Sequence, residues 1–453
     1  MAEWLSRDEA RRLCDRTLAL SKAEGCQVGV QSGSSGNTRY AGNEVTTGGD
    51  AADAQLTVSS RFGKRIASVT TNVFDDAGLQ RAVETSERLA RLAPENPELM
   101  PLLPAQQYRD VQAFFAATAG LDATRRAAAV AAATDAVQGA GLVAAGFLER
   151  NAGAGAIANS AGLFAYHAST SVTHTLTVRT PDGQGSGWAG TTHNDAARLT
   201  APAALAQRAI GKARGSREAQ ALEPGKYVVV LEPTAVGNLL ALMGFALNAR
   251  AADEGRSFFS KRGGGTKVGE KVVDERVMLA SDPADPDLLL RPFTGDGLPA
   301  ERVVWVENGV LKNLAYDRFW ADKKGVPPTP SAPGLRLSGS TATQDELIAG
   351  VERGLVVTRF WYIRSVDPRT LLFTGLTRDG VFLIEQGQVT RAVRNFRFNE
   401  SPMAMLNNVV ALGRPERVAA GEGGGGGFGF GSAMVVPPLV VRDFTFTSVS
   451  EAV

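Results

Sequence analysis

Cysteine and histidine are the scarce residues of this chain. Cys14 and Cys26 are the only cysteines in 453 residues and lack CxxC spacing, which excludes a disulfide framework and a thiolate metal cluster and suits a reducing compartment. The three histidines, His167, His174 and His193, lie in one region. An excess of one charge is missing as well: 48 Lys plus Arg stand against 47 Asp plus Glu, net +1, without a long run of either sign. No polyanion-binding face follows from such a balance, so nucleic acid is excluded as a direct ligand. No run approaches the ~18–20 apolar residues of a membrane span, and the opening "MAEWLSRDEARRLCDRTLAL" puts charges where a signal peptide needs an apolar core. A soluble, unprocessed, cytoplasmic protein without membrane partners is expected. A G-x-S-x-G elbow is absent, and in "KRGGGTKVGEK" Glu270 stands where a phosphate loop needs lysine, so serine hydrolysis and nucleotide chemistry are set aside.

What is present is an α+β pattern long enough for two domains. In residues 1–220, mixed α/β with antiparallel strands, Ser6 and Glu9 form a capping-box pair opening a helix that Gly25 would end. Segments such as "CQVGVQS" and "AQLTVSSRFGKRIASVTTN", separated by Gly-rich turns, read as strands. Asp75 or Asp76 caps a second helix, and Asp122 starts an Ala-rich one reaching about Gly139. A Pro-rich connector, "PENPELMPLLP", occupies 94–104. The polar stretch "KARGSREAQALEPG" marks the boundary to residues 221–453, expected to be strand-rich and barrel-like around a buried apolar helix. Asn308-Gly309 and Gln386-Gly387 are read as hairpin turns there. The clustered carboxylates Asp274, Glu275, Asp282 and Asp285 are read as a solvated face rather than a catalytic dyad.

That apolar helix, "GNLLALMGFAL", is the most informative stretch. No His, Cys, Asp or Glu occurs between Pro233 and Asp253. Its surroundings, "ALEPGKYVVVLEP" before it, "RSFFSKRGGGTKVGEKV" after it, then "PFTGDGLPAERVVWVENGVLKNLAYDRFWADKKG" and "DELIAGVERGLVVTRF", resemble the TldD/PmbA family over almost the whole chain. In that family's catalytic members the helix carries HExxxH, and a Cys in a C-terminal Gly-rich segment completes a zinc site. Carried over residue by residue, those helix positions fall on Ala241, Leu242 and Ala246, and "GEGGGGGFGFGSAMVVPPLVV" has no Cys. Aliphatic side chains offer zinc no lone pair and water no base. The resemblance therefore implies the PmbA/TldE-like branch: an inactive subunit, holding no zinc or other cofactor itself, paired as a heterodimer with an HExxxH-bearing homologue that carries the zinc and cleaves peptides.

Two alternatives stay open. One is a homodimeric peptide-binding or scaffolding protein without protease activity. The other is an enzyme with a relocated metal site at His174 and His193, which face each other if the hairpin turn centres on Gly183 and Gln184; His167 then points to the opposite face. Arg256, Phe258, Phe259, Tyr316 and Arg364 are the candidate substrate contacts, since guanidinium groups suit peptide carbonyls and carboxylates. In the Gly-rich segment 421–431, Phe428 and Phe430 are candidate partner contacts.

Overall fold

The structure is a computed structural model and describes residues 4–244, 246–330, 334–419 and 433–450. Six antiparallel strands, β1 (Gly25–Ala41), β2 (Glu44–Phe62), β3 (Arg65–Thr71), β4 (Val143–Asn159), β5 (Phe164–Arg179) and β6 (Ser186–His193), form one sheet in the order β3-β2-β1-β4-β5-β6. The capping box at Ser6 and Glu9 opens the helix Arg7–Leu20, and Asp75 and Asp122 cap Asp76–Leu92 and Ala123–Gly139 through their side chains. Two points differ from the sequence reading. The first helix stops at Leu20, where the Ser21 backbone turns extended and its N–H bonds Leu18, leaving Gly25 to begin β1. The glycines Gly48 and Gly49 lie inside β2, because β1 pairs through them and the chain reverses at Gly42-Asn43, both with positive φ.

Helices cover one face of this sheet in two patches. Arg7–Leu20 and Asp76–Leu92 bury Leu13, Leu79 and Val83 against Val28, Val30, Leu56 and Val58. Ala123–Gly139 and Pro202–Gly215 bury Val130, Val137, Leu205 and Ile210 against Tyr40, Leu148, Leu176 and Val178.

Residues 225–449 build the rest. Strand β7 (Gly225–Leu231) pairs in parallel with Arg353–Asp367 and antiparallel with Leu439–Val449. The ring continues through Phe396–Glu400 and Leu372–Glu385, which pairs back onto Arg353–Asp367, so five strands close into a barrel. Closure leaves these strands without free edges. Aromatics fill it: Phe360 stacks on Phe444 with ring centroids 5.5 Å apart, and Phe398 lies 4.6 Å from Phe360. Asn308-Gly309 and Gln386-Gly387 both form two-residue turns with positive φ at each position, the backbone that matches strand twist. A second sheet of short strands includes Leu279–Ser281, Val303–Glu307, Gly334–Leu337 and Ala433–Val436.

Charged and polar groups join the two parts. Lys212 pairs with Glu232 at 2.6 Å, and Ser186 on β6 donates to Asp379 in the barrel at 2.5 Å. Among the described residues no helix is long and apolar enough to cross a membrane.

Candidate active-site cleft

The helix Pro233–Gly244 follows β7 after a single residue, Glu232, whose carbonyl accepts the Val236 N–H. Proline at the first helical position suits the start, and the aliphatic residues that follow drive burial. Ala235, Val236, Leu239, Leu240 and Met243 join the barrel core. Gly237 lies so close to the 416–418 segment that a Cβ there would meet Val418 at 2.9 Å. Asn238 is polar: its Oδ1 accepts the Phe360 N–H at 3.1 Å and ties the helix to the barrel.

The expectation that this helix is enclosed on all sides needs correction at its C-terminal end. Leu242 and Ala246 border a cleft of about 300 Å³ whose far wall is Ile363, Ser365, Pro368, Leu371 and Phe373. The opening has a backbone cause. Strand Arg353–Asp367 loses register with its partner between Trp361 and Arg364 and again between Ser365 and Asp367, and Tyr362 takes a positive φ. A bulged strand bends away, and bulges recur beside functional sites. Ala241 is half-buried against the core and does not line the cleft.

The cleft's chemistry is that of an apolar slot with an arginine, ion-paired to Glu254, at its rim. Ser257 has its hydroxyl engaged, donating to the Ala246 carbonyl at 3.2 Å and accepting from Phe259 N–H at 3.2 Å. Arg256 lines the cleft, and its Nε donates to Glu254 at 3.0 Å. Neither group is a base able to take a proton from water at neutral pH. Such a slot can hold an apolar side chain while a guanidinium takes a carbonyl or carboxylate.

The other candidates scatter. Phe258 is half-buried beneath Lys267, whose Nζ sits 3.9 Å from the ring centre, while Phe259 is wholly buried and supports the site rather than facing a ligand. Tyr316 packs against the same core, and burial, then the Asp253 charge, pushes its hydroxyl pKa up. Arg364 is exposed on the bulged strand, stacked over Tyr362 at 4.1 Å and outside the cleft. Arg256 alone of the five joins the motif positions there. Phe428 and Phe430 lie outside the described residues. The wall from Ile363 to Phe373 escaped the sequence reading; its signal is Asp367-Pro368, a turn interrupting a strand pattern.

The histidine register also differs. His174 pairs with Thr191 and His193 with Val172, two residues away from the expected alignment. The six-residue turn 180–185 centres on Asp182-Gly183, where Asp182 accepts from the Thr180 hydroxyl and the Gln184 N–H. His174 Nε2 instead meets the Tyr40 hydroxyl at 3.0 Å, and His193 Nδ1 accepts the Asp195 N–H at 2.9 Å. His167, opposite Gly155, lies at odd spacing along the continuous β5 and so on the other face. Among the described residues no three His, Cys, Asp or Glu side chains cluster as metal ligands would.

Rebuilding the motif gives a direct test of the helix. The Ala241→His/Leu242→Glu/Ala246→His variant is expected to fold less stably and to show no peptide turnover. Leu242, 8% exposed, is the costly member: an unpartnered polar group buried there costs about 1–3 kcal/mol, and more while the carboxyl is ionised. Urea denaturation and metal analysis check it; a variant as stable as wild type that retains one zinc per chain would contradict it.

Comparison with known proteins agrees with this architecture. Three consecutive family models, described as PmbA/TldA metallopeptidase domain 1, central domain and C-terminal domain, match residues 26–90, 116–217 and 224–448. A protein named metalloprotease from Methanothermobacter thermautotrophicus is 25% identical over 235 residues, covering 47% of this chain and 49% of that protein. Another metalloprotease, from Archaeoglobus fulgidus, is 30% identical over 190 residues, covering 41% and 39%. The matched stretches thus span half or less of those relatives. Two crystal structures share the fold over nearly their whole length. A candidate modulator of a DNA gyrase from Thermotoga maritima superimposes with a TM-score of 0.83 at 18% identity, covering 96% of this chain and 100% of that one. TldE from Thermococcus kodakarensis does so at 0.82 and 17%, covering 96% and 99%. With the family's three domain models matched in order, this chain belongs to the PmbA/TldD metallopeptidase family.

Proposed function

We propose that this chain is the noncatalytic subunit of a zinc peptidase complex that processes peptides and unfolded proteins in the cytoplasm, acting beside a homologue that bears HExxxH and holds the zinc. One observation carries the reading: the family's metal-binding positions are occupied by Ala241, Leu242 and Ala246, yet two of them border a cleft. A slot without ligands or base can receive a peptide side chain but cannot activate water. Likeness in fold to a protein named TldE is consistent with the same branch. In this arrangement Arg256 offers a guanidinium at the cleft rim for substrate, and Arg364 a second on the adjacent strand.

Co-expression with an HExxxH-bearing homologue from the same organism tests it. The two chains are expected to co-elute as a heterodimer with zinc and peptidase activity, whereas this chain alone holds no stoichiometric zinc and cleaves nothing. A chain that forms only a homodimer and ignores every such homologue would instead support the scaffolding reading. Tightly held zinc lost on mutating His174 or His193 would favour a relocated site.

A further inference from the structure

A larger groove, about 790 Å³, lies away from the helix, between the uncovered part of the first sheet and the C-terminal region. That volume falls within the range of ligand sites. Its sheet wall draws on β1, β2, β4 and β5 and is mostly glycine, alanine and serine, with Gln31, Asp53, Gln55, Asn151, His167 and Thr170 among them and Asn194 just beyond β6. Its other wall carries Arg291 and Arg417.

Three groups there have unused capacity. Asn194 is 6% exposed, and its Oδ1 has no hydrogen-bond partner. Buried acceptors are nearly always satisfied, so an orphan on a groove-lining residue points to a missing donor. Arg417 gives one bond, from Nη1 to the Asp287 carbonyl at 2.9 Å, while its buried Nε has none. Arg291 donates its Nε to the Phe293 carbonyl at 2.9 Å. Neither arginine forms an ion pair with any described residue; Arg417 is half-buried, where guanidinium groups are normally paired, with the Asp287 and Asp285 charges acting on it from farther off, whereas Arg291 is exposed. Burial and the neighbouring Arg291 charge hold the lining His167 down to about 4, so it adds no positive charge at neutral pH.

We propose that this groove binds the C-terminal end of an extended peptide, its carboxylate on Arg291 and Arg417 and a backbone N–H on Asn194 Oδ1. Among the described residues the lining contains no Phe, Tyr or Trp, hence no stacking platform for a nucleobase from them. Its described part contains one carboxylate, Asp53, which disfavours a compact polyanion such as phosphate and tolerates a ligand carrying a single negative end. Small side chains along the sheet wall leave room for a peptide backbone. Taking peptides as the ligand class rests on the functional reading above, but the site lies wholly within this chain.

The experiment uses the full-length chain without any partner, so absence of a catalytic homologue would not affect it. Fluorescence anisotropy is measured with a labelled Ala/Ser peptide of about six residues as the free acid, as the C-terminal amide, and as an amide carrying an internal Glu. A bidentate charged contact made by only one of these predicts at least about tenfold tighter binding of the free acid. Arg291→Gln should abolish that difference without lowering the melting temperature, and Arg291→Lys should restore part of it. Asn194→Asp, which places like charge beside the carboxylate, should weaken the free acid most. Equal affinity for acid and amide would overturn the proposal, as would full discrimination by Arg291→Gln. Recovery by the internal Glu, or displacement by inorganic phosphate as effective as unlabelled peptide, would overturn it too.

Discussion

Asp379→Ala should cost about 3–5 kcal/mol of folding stability, because it breaks a buried ion pair with Arg359. Arg359 and Asp379 are 2% and 1% exposed, and Arg359 Nε lies 2.7 Å from Asp379 Oδ2 with a second contact from Nη2. The other carboxylate oxygen accepts from Ser186 on β6, so one side chain serves the barrel strand and the first sheet together. Asp379 also has φ +56, a backbone region that Asp and Asn tolerate better than Ala. Asp379→Asn should therefore cost clearly less than Asp379→Ala, keeping the backbone preference and an acceptor for Ser186 while giving up the charge. Equilibrium denaturation with matched m-values measures both. An Ala variant within about 1 kcal/mol of wild type would mean that the pair is relieved by water and does not hold the two parts together.

Acidification should weaken the protein through its buried histidines. Burial brings His174 from 6.5 down to about 4, with the ring on the Tyr40 hydroxyl. The folded protein thus keeps this imidazole neutral where the unfolded chain would protonate it. Stability from this source is complete above pH 6.5 and is lost as pH falls from there toward about 4, since the unfolded state binds the extra proton. The drop corresponds to about 3 kcal/mol at the acid end. His167 and His193 are also held near 4, mainly by burial, and push in the same direction. His174→Gln offers the Tyr40 hydroxyl either a donor or an acceptor but cannot titrate, so its stability should fall less between about pH 7 and pH 4.5 than wild type's. An unchanged pH slope in that variant would show that His174 is not the group responsible.

Features whose partners lie a few residues apart were legible in the chain itself. Ser6 with Glu9, Asp75 with Gly78 and Asp122 with Arg125 each satisfy a helix N-terminus within one turn, and Asn308-Gly309 needs only its own backbone preference to reverse a strand. The aliphatic residues at 241, 242 and 246 equally determined, without coordinates, that those side chains offer a metal nothing. Tertiary structure decided what depends on distant segments. The barrel closes because Val229 lies between Leu355 and Val441, a pairing that no local pattern encodes. The histidines are offset because side-chain bonds in the 180–185 turn chose its centre, and sheet register follows the turn. The cleft beside Leu242 exists because a strand more than a hundred residues later bulges away from it. Local hydrogen bonding and hydrophobic period are written into consecutive residues, whereas closure, register and cavities arise only when remote segments compete for the same space.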